Sequence, residues 1–252
     1  MIKPVPILMY HRINNIPGDR ITVPPQMLAA QLGYLKQKGY TTISLMDLYA
    51  HVTQGKPVPS RSVILTFDDS YEDNLLYALP LLQQYGMRAT VFPITGWIGK
   101  YNDWEDYPGK PRCRTMSWEQ LKLWCQAGME VGCHTVNHPH LTALSASEIE
   151  TELTISKTML EERLGRTIDF LCYPYGSFDN RVKEIGKRIG FKGAVAIFEG
   201  TAFLRTDLWA LRRVPISQRQ SLKEFALKVS PAHVLILASR KLERKLKPRR
   251  TG

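Results

Sequence analysis

Long apolar runs are missing from this sequence of 252 residues. None approaches the ~20 residues that a membrane-crossing helix needs. The opening Met1-Ile2-Lys3-Pro4-Val5-Pro6 has no basic region followed by a long apolar stretch and a small-residue cleavage site, so no export signal is read there. Cysteine is scarce as well. Cys113, Cys125, Cys133 and Cys172 include no Cys-x-x-Cys pair and are too scattered for a disulfide framework, so they read as reduced thiols outside any nucleophile context. No glycine-rich phosphate loop follows a strand-like segment, which argues against dinucleotide and P-loop folds. There is no internal repeat. The expectation is a soluble cytoplasmic chain, or a mature or trimmed form of a longer one.

Acidic residues are also in short supply, and the resulting net charge of +11 is uneven. Residues 240–250 carry seven basic residues and one acidic residue, which leaves about +5 for the remainder. The basic character is mostly that of a tail. It reads first as a solvated terminus, and its functional expectation is peripheral contact with an anionic membrane rather than specific nucleic-acid binding.

What is present is an alternation of short apolar strands with helices that carry start and stop signals. Strands are expected at 7–10, 41–45, 62–67, 88–94, 129–133, 168–172, 194–197 and 211–216. Pro25 opens a helix that Gly39 stops, and Ser44, Ser117, Ser145 and Asp179 cap others, three of them with capping-box spacing. A helix bearing Leu75, Leu76, Leu79 and Leu82 closes at Gly86. Two further helices are expected at 221–229 and 232–246. Residues 96–115 read as one long loop. Strand–helix units without a linker between them argue for a single (β/α) barrel, with a doubly wound open sheet as the alternative. The barrel is assigned to residues 1–230, and a C-terminal helix with the basic tail to 231–252.

Three strand ends present chemistry. Thr66-Phe67-Asp68-Asp69-Ser70 places two adjacent carboxylates after a buried strand, where a cation or a proton must resolve their repulsion. His134 and His138 stand four apart, a spacing that on a helical turn puts both imidazoles on one side. His140 follows Pro139 and reads as a loop residue. Cys172-Tyr173-Pro174-Tyr175-Gly176 is a rigid turn whose backbone N–H groups suit an oxyanion. In a parallel barrel these ends share one face, so Asp69, His134 and His138 form a candidate metal triad, with Asp68 left over as a base.

These residues resemble the polysaccharide deacetylases with the NodB homology domain, carbohydrate esterase family 4. The family's Thr-Phe-Asp-Asp-Gly motif appears as Thr66–Ser70, with Ser70 in place of glycine. His-Ser/Thr-x-x-His is matched by His134–His138, and Arg-x-Pro-Tyr only by Pro174-Tyr175. The resemblance covers about residues 5–217 and implies a distorted (β/α)7 barrel of NodB type followed by C-terminal helices. It further implies a divalent metal, zinc first and cobalt or nickel next, on Asp69, His134 and His138. Removal of N-acetyl groups from a glycan by water activated on that metal follows, with Asp68 as base and the Tyr175 amide on the oxyanion.

Two departures shape the remaining assignments. No Leu-x-His motif supplies the usual acid, but the opening Ile7–Ile13 resembles the poly-N-acetylglucosamine deacetylase subgroup, and His11 is taken as the acid. Cys172 stands where the family has an arginine that orients the base, and Arg213 is its expected replacement. The alternatives are a hydrolase of another small amide in the same fold, or a non-catalytic glycan-binding or membrane-surface protein. Trp97, Tyr101, Trp104 and Tyr107 favour a sugar, because aromatic faces stack on pyranose rings. The absence of an export signal points to a site of action in the cytoplasm or at the inner membrane face, unless export is unconventional. The oligomeric state is left open.

Overall fold

The computed structural model describes residues 5–105, 109–199, 201–202 and 207–233. Its first segment runs β1 (Val5–Tyr10), β2 (Arg12–Ile13), β3 (Thr22–Val23), α1 (Pro25–Gln37), β4 (Thr41–Thr42), α2 (Leu45–Gln54) and β5 (Ser62–Asp69). A π-turn (Asn74–Ala78) leads into α3 (Leu79–Tyr85), β6 (Thr90–Pro93), α4 (Trp118–Gln126), β7 (Glu130–Val131) and α5 (Ala146–Leu164). The chain then continues through β8 (Phe170–Cys172), α6 (Asn180–Ile189), β9 (Gly193–Glu199), β10 (Thr201–Ala202), β11 (Leu211–Pro215) and α7 (Leu222–Val229).

Seven parallel strands follow one another in chain order, β1-β5-β6-β7 and then β8-β9-β11, with β11 returning to β1. Between β7 and β8 the seam is one parallel bridge, Cys133 to Leu171. There Cys133 N–H donates to Phe170 O (2.9 Å) and Cys172 N–H to Cys133 O (2.8 Å). Gly132 lies at this seam, where a Cβ would stand 2.2 Å from the Phe92 ring. This is the distorted (β/α)7 barrel that the resemblance implies. Short β10 pairs antiparallel with β1, and β4 pairs with the start of β5.

Strands β1 and β5 are buried along their whole length, as central barrel strands must be when helices cover them. Helix α1 packs on α3 and α7, and α5 on α4 and α6. Trp124 of α4 is fully buried and donates to Glu130 O at 2.9 Å. Truncating a side chain of that size in a core costs about 3–5 kcal/mol. Capping boxes close the starts of α2, α4 and α5 at the expected serines, and Ser221 with Glu224 does the same for α7.

Some boundaries differ. The strand expected at 41–45 pairs only at Thr41–Thr42, because Ser44 already caps α2. The helix expected from Leu75 begins as a π-turn, in which Leu79 N–H reaches back to Asn74 O. Pro80 has no N–H to continue an α-helical ladder there. Leu76, inside the wider turn, is 53% exposed, while Leu82 of α3 is buried. Loop 96–115 is tied rather than free, through the bridges Tyr101–Arg114 and Tyr71–Thr115. Tyr107, most of the 232–246 helix and the basic tail lie outside the described residues. No helix among the described residues is long and apolar enough to cross a membrane.

Candidate metal centre

Every non-glycine residue with positive φ among the described residues lies on one of the three motifs: Asp69 (68°), Ser70 (54°), Thr135 (66°), His138 (59°) and Tyr175 (55°). Left-handed backbone is unfavourable for such residues and collects where the fold forces side chains to a fixed target. The target here is a cavity of about 600 Å³ at the C-terminal ends of the strands. His11, Asp68, Asp69, His134, His138 and Tyr175 all line it.

Asp69 ends β5, and its Oδ1 lies 3.5 Å from His134 Nε2 and 3.8 Å from His138 Nε2. The two Nε2 atoms are 3.2 Å apart. His134 Nδ1 donates to the Cys172 carbonyl at 2.8 Å, which aims Nε2 at the cluster. Burial would lower His134, but Cys172 and the Asp69 carboxylate lift it well above the ordinary imidazole range, so Nε2 holds a proton that a bound cation would displace. Burial and the adjacent His134 push His138 down to about 3, so its ring is neutral. Burial alone would raise Asp69, yet the neighbouring His134, His11 and His138 hold its carboxyl below the usual range. Two imidazole Nε2 atoms and a carboxylate oxygen therefore converge in a buried space, and a divalent cation that displaces the His134 proton would take all three as electron-pair donors. The residues fit the metal that the resemblance implies.

A second group, Asp68, His134 and Cys172, is also close enough to share an ion. Its donors are already engaged. Arg213 Nη1 and Nη2 each donate to one oxygen of Asp68 at 2.7 Å, and Nη2 donates to Cys172 Sγ at 3.3 Å. Burial pushes the Cys172 thiol up, which disfavours the thiolate that a metal needs. Arg213 thus reaches from β11 into the space beside Cys172, where it also donates to Ala196 O (3.0 Å) and Thr66 Oγ1 (3.1 Å). Burial would lift Asp68, but the guanidinium overcomes it and holds the carboxyl below its ordinary value. His11 Nε2 stands 3.9 Å from Asp68 Oδ2.

The structure brings all seven expected site residues to this cavity or its wall, but not always by the expected local geometry. His134 and His138 do not share a helical turn. Thr135 and His138 are left-handed, and side chains replace the helical ladder. Thr135 Oγ1 accepts from His138 N–H (3.0 Å), while Glu152 of α5 accepts from Val136 N–H (2.8 Å) and Asn137 N–H (3.0 Å). Gly96 N–H donates to Val136 O, and a Cβ at Gly96 would lie 2.6 Å from that oxygen. His140 stacks on the Tyr175 ring at 4.1 Å, and the Tyr175 ring lies 4.5 Å from His138.

Sequence reasoning missed the residues that support this wall. Glu152 is one; a carboxylate on an otherwise amphipathic helix gives no signal of its partner. Glu105 is another. It accepts from Arg12, Tyr71 (2.6 Å) and Asn102 (2.6 Å), which fastens loop 96–115 so that the Trp104 ring lies 6.2 Å from His138. Of the aromatic residues expected to meet a sugar, Trp104 reaches the cavity; Trp97 packs behind it at 5.5 Å, and Tyr101 is covered by Arg112 at 3.9 Å.

Comparison with known proteins follows the same lines. A family model described as polysaccharide deacetylase matches residues 55–194, just over half of the chain. The chain is 30% identical over 217 residues to the putative polysaccharide deacetylase YxkH of Bacillus subtilis, covering 86% of this chain and 73% of that protein. It is 23% identical over 255 residues to the poly-β-1,6-N-acetyl-D-glucosamine N-deacetylase of Escherichia coli K12, covering 88% of this chain but only 38% of the longer protein. The structure of Streptococcus pyogenes deacetylase PplD in complex with acetate is similar at a TM-score of 0.82 and 29% identity, covering 92% of this chain and 100% of that one.

Proposed function

The chain belongs to the polysaccharide deacetylase family, and on that premise we propose that it is a metal-dependent hydrolase that removes N-acetyl groups from an N-acetylated glycan. The juxtaposition of Asp68, clamped by Arg213, with the donor triad Asp69-His134-His138 carries this reading. Three protein donors leave a coordination position open, the pattern of a catalytic rather than a closed structural site. A carboxylate held beside it, prevented by a guanidinium from joining it, is placed to take a proton.

A divalent cation on the triad, zinc first by its nitrogen and oxygen donors and cobalt or nickel next, supplies Lewis acidity toward the acetyl carbonyl and acidifies water. Asp68 accepts the proton that water loses as it adds to the carbonyl carbon. The bidentate contact fixes both carboxylate oxygens, so Asp68 meets that proton in one orientation. The Tyr175 N–H, presented by its left-handed turn, donates to the oxyanion. His11 gives a proton to the amide nitrogen as the C–N bond breaks, releasing acetate and a free amine. Trp104 and the stacked Tyr175–His140 pair offer flat apolar faces to a pyranose ring.

Substituting Asp68 by Asn separates this reading from a non-catalytic glycan-binding one. Asn keeps the shape but cannot take the proton. Acetate release from N-acetylated oligosaccharide is expected to disappear while zinc content and glycan retention persist. Acetate release undiminished in Asp68→Asn, or absent from the unmodified zinc-loaded protein, would contradict it.

A further inference from the structure

Asn74 is the first residue of the π-turn, and its side-chain amide spends both hydrogens close by. Nδ2 donates to the His11 carbonyl at 2.7 Å and to Asp73 Oδ1 at 3.0 Å. Its own Oδ1 is buried without a partner. A bare buried oxygen is unfavourable, so the amide's orientation is dictated by what its nitrogen must hold. Asp73 Oδ1 also accepts from Ile13 N–H at 3.0 Å. Between these anchors, the fully buried Arg12 bonds to Asp19 (2.9 Å), Tyr71 (2.8 Å) and Glu105. Residues 11, 12 and 13 are thus each pinned, and the His11 ring faces Asp68 in the cavity.

From this we infer that Asp73 and Asn74 are positioning residues for His11. The inference rests on the reading of His11 as proton donor. The segment 68–74 then carries the base, one metal ligand and the clamp on the acid in a single run of chain. Asn74 opens the π-turn and lies under the His11 carbonyl. The clamp acts on the backbone and leaves the imidazole to meet the substrate. Displacement of a catalytic group by about 1 Å costs on the order of a hundredfold in rate.

The test compares two acetyl donors that differ in their leaving group, using the zinc-loaded chain of 252 residues. A chitooligosaccharide needs its departing nitrogen protonated, whereas 4-nitrophenyl acetate expels a phenolate that needs no proton. Asn74→Ala is expected to lower kcat on the oligosaccharide about ten- to hundredfold. The KM and the rate on the ester should each stay within about threefold of the starting protein. Asn74→Asp, nearly the same shape but without the donors, should show the same split and serves if the alanine variant does not fold. Asp73→Ala removes the acceptor for Ile13 N–H and the Asn74 amide and should show the same split. Asp73→Asn keeps an oxygen there and should relieve it. An Asp73→Ala variant without the split would overturn the part given to Asp73. His11→Ala provides the reference and should show the split in full. Equal slowing of both substrates by the Asn74 variants, or slowing of neither, would overturn the clamp alone. A His11→Ala variant without the split would overturn the role of His11 and the clamp with it.

Discussion

Asp68 is a carboxylate with almost no water around it, and its charge is sustained by Arg213, itself fully buried. Neither partner is tolerable alone, since removing one side of a buried pair typically costs about 3–5 kcal/mol. Exchanging Arg213 for Lys keeps a cation but gives up the two-pronged contact. Because the guanidinium lowers the Asp68 pKa, weakening the contact raises it. In the proposed role of base Asp68 must be ionised, so the acid limb of kcat/KM is expected to move to higher pH in Arg213→Lys, as a pH–rate profile would register. An unmoved acid limb would show that Arg213 does not tune Asp68. Both residues were legible beforehand for different reasons. Asp68 stood out because two carboxylates after an apolar strand demand a cation. Arg213 came from asking what replaces a missing family arginine, a question that periodicity and composition never raise. Glu105 and Asn74 gave no such handle, because their importance lies in partners that are 93 and 63 positions away, Arg12 and His11.

The next scale is that of the elements that carry these groups. The His134–His138 segment keeps its shape through Glu152, so Glu152→Ala leaves two backbone N–H groups unmet and loosens one ligand. Loss of support of this kind costs about 10–100-fold in metal affinity, which competition with a zinc indicator would measure. The π-turn makes a second, independent prediction. Burial lifts Asp73 from 3.8 to about 6. A raised folded-state pKa means that its contribution to stability is complete below about pH 4 and is lost as pH rises through about 6. The loss is on the order of 2–3 kcal/mol at 1.36 kcal/mol per pKa unit. In Asp73→Asn this loss should vanish from denaturant midpoints measured between pH 4 and 7. Helices were the most legible elements, because serine caps and terminal glycines act locally. The π-turn and the left-handed histidine loop were not, since each is imposed by contacts outside its own sequence. A spacing of four residues was read as helix when side chains from Thr135 and Glu152 had taken over the backbone bonding.

At the scale of the molecule, the barrel brings groups 200 positions apart in sequence to one rim, from His11 on the first strand segment to Arg213 on the last. Strand order follows chain order, as the alternating pattern allows, but that pattern leaves a doubly wound open sheet as an alternative, and the seven-stranded barrel comes from the motif resemblance. The one-residue seam at Cys133 was not foreseeable, because it depends on Gly132 admitting the Phe92 ring. On the proposed reading, activity and stability both depend on one ion at this rim. A cation that binds the folded triad and not the unfolded chain stabilises by about 4 kcal/mol at a thousandfold excess over its Kd. The most direct measurement is therefore acetate release by protein stripped with a chelator and then reloaded with zinc or cobalt, on chitooligosaccharides and poly-β-1,6-N-acetylglucosamine. The expected result is loss of acetate release on stripping, its return with metal, and no return in His138→Ala. Acetate release that survives complete stripping, or none from either glycan after reloading, would contradict a metal-dependent N-deacetylase.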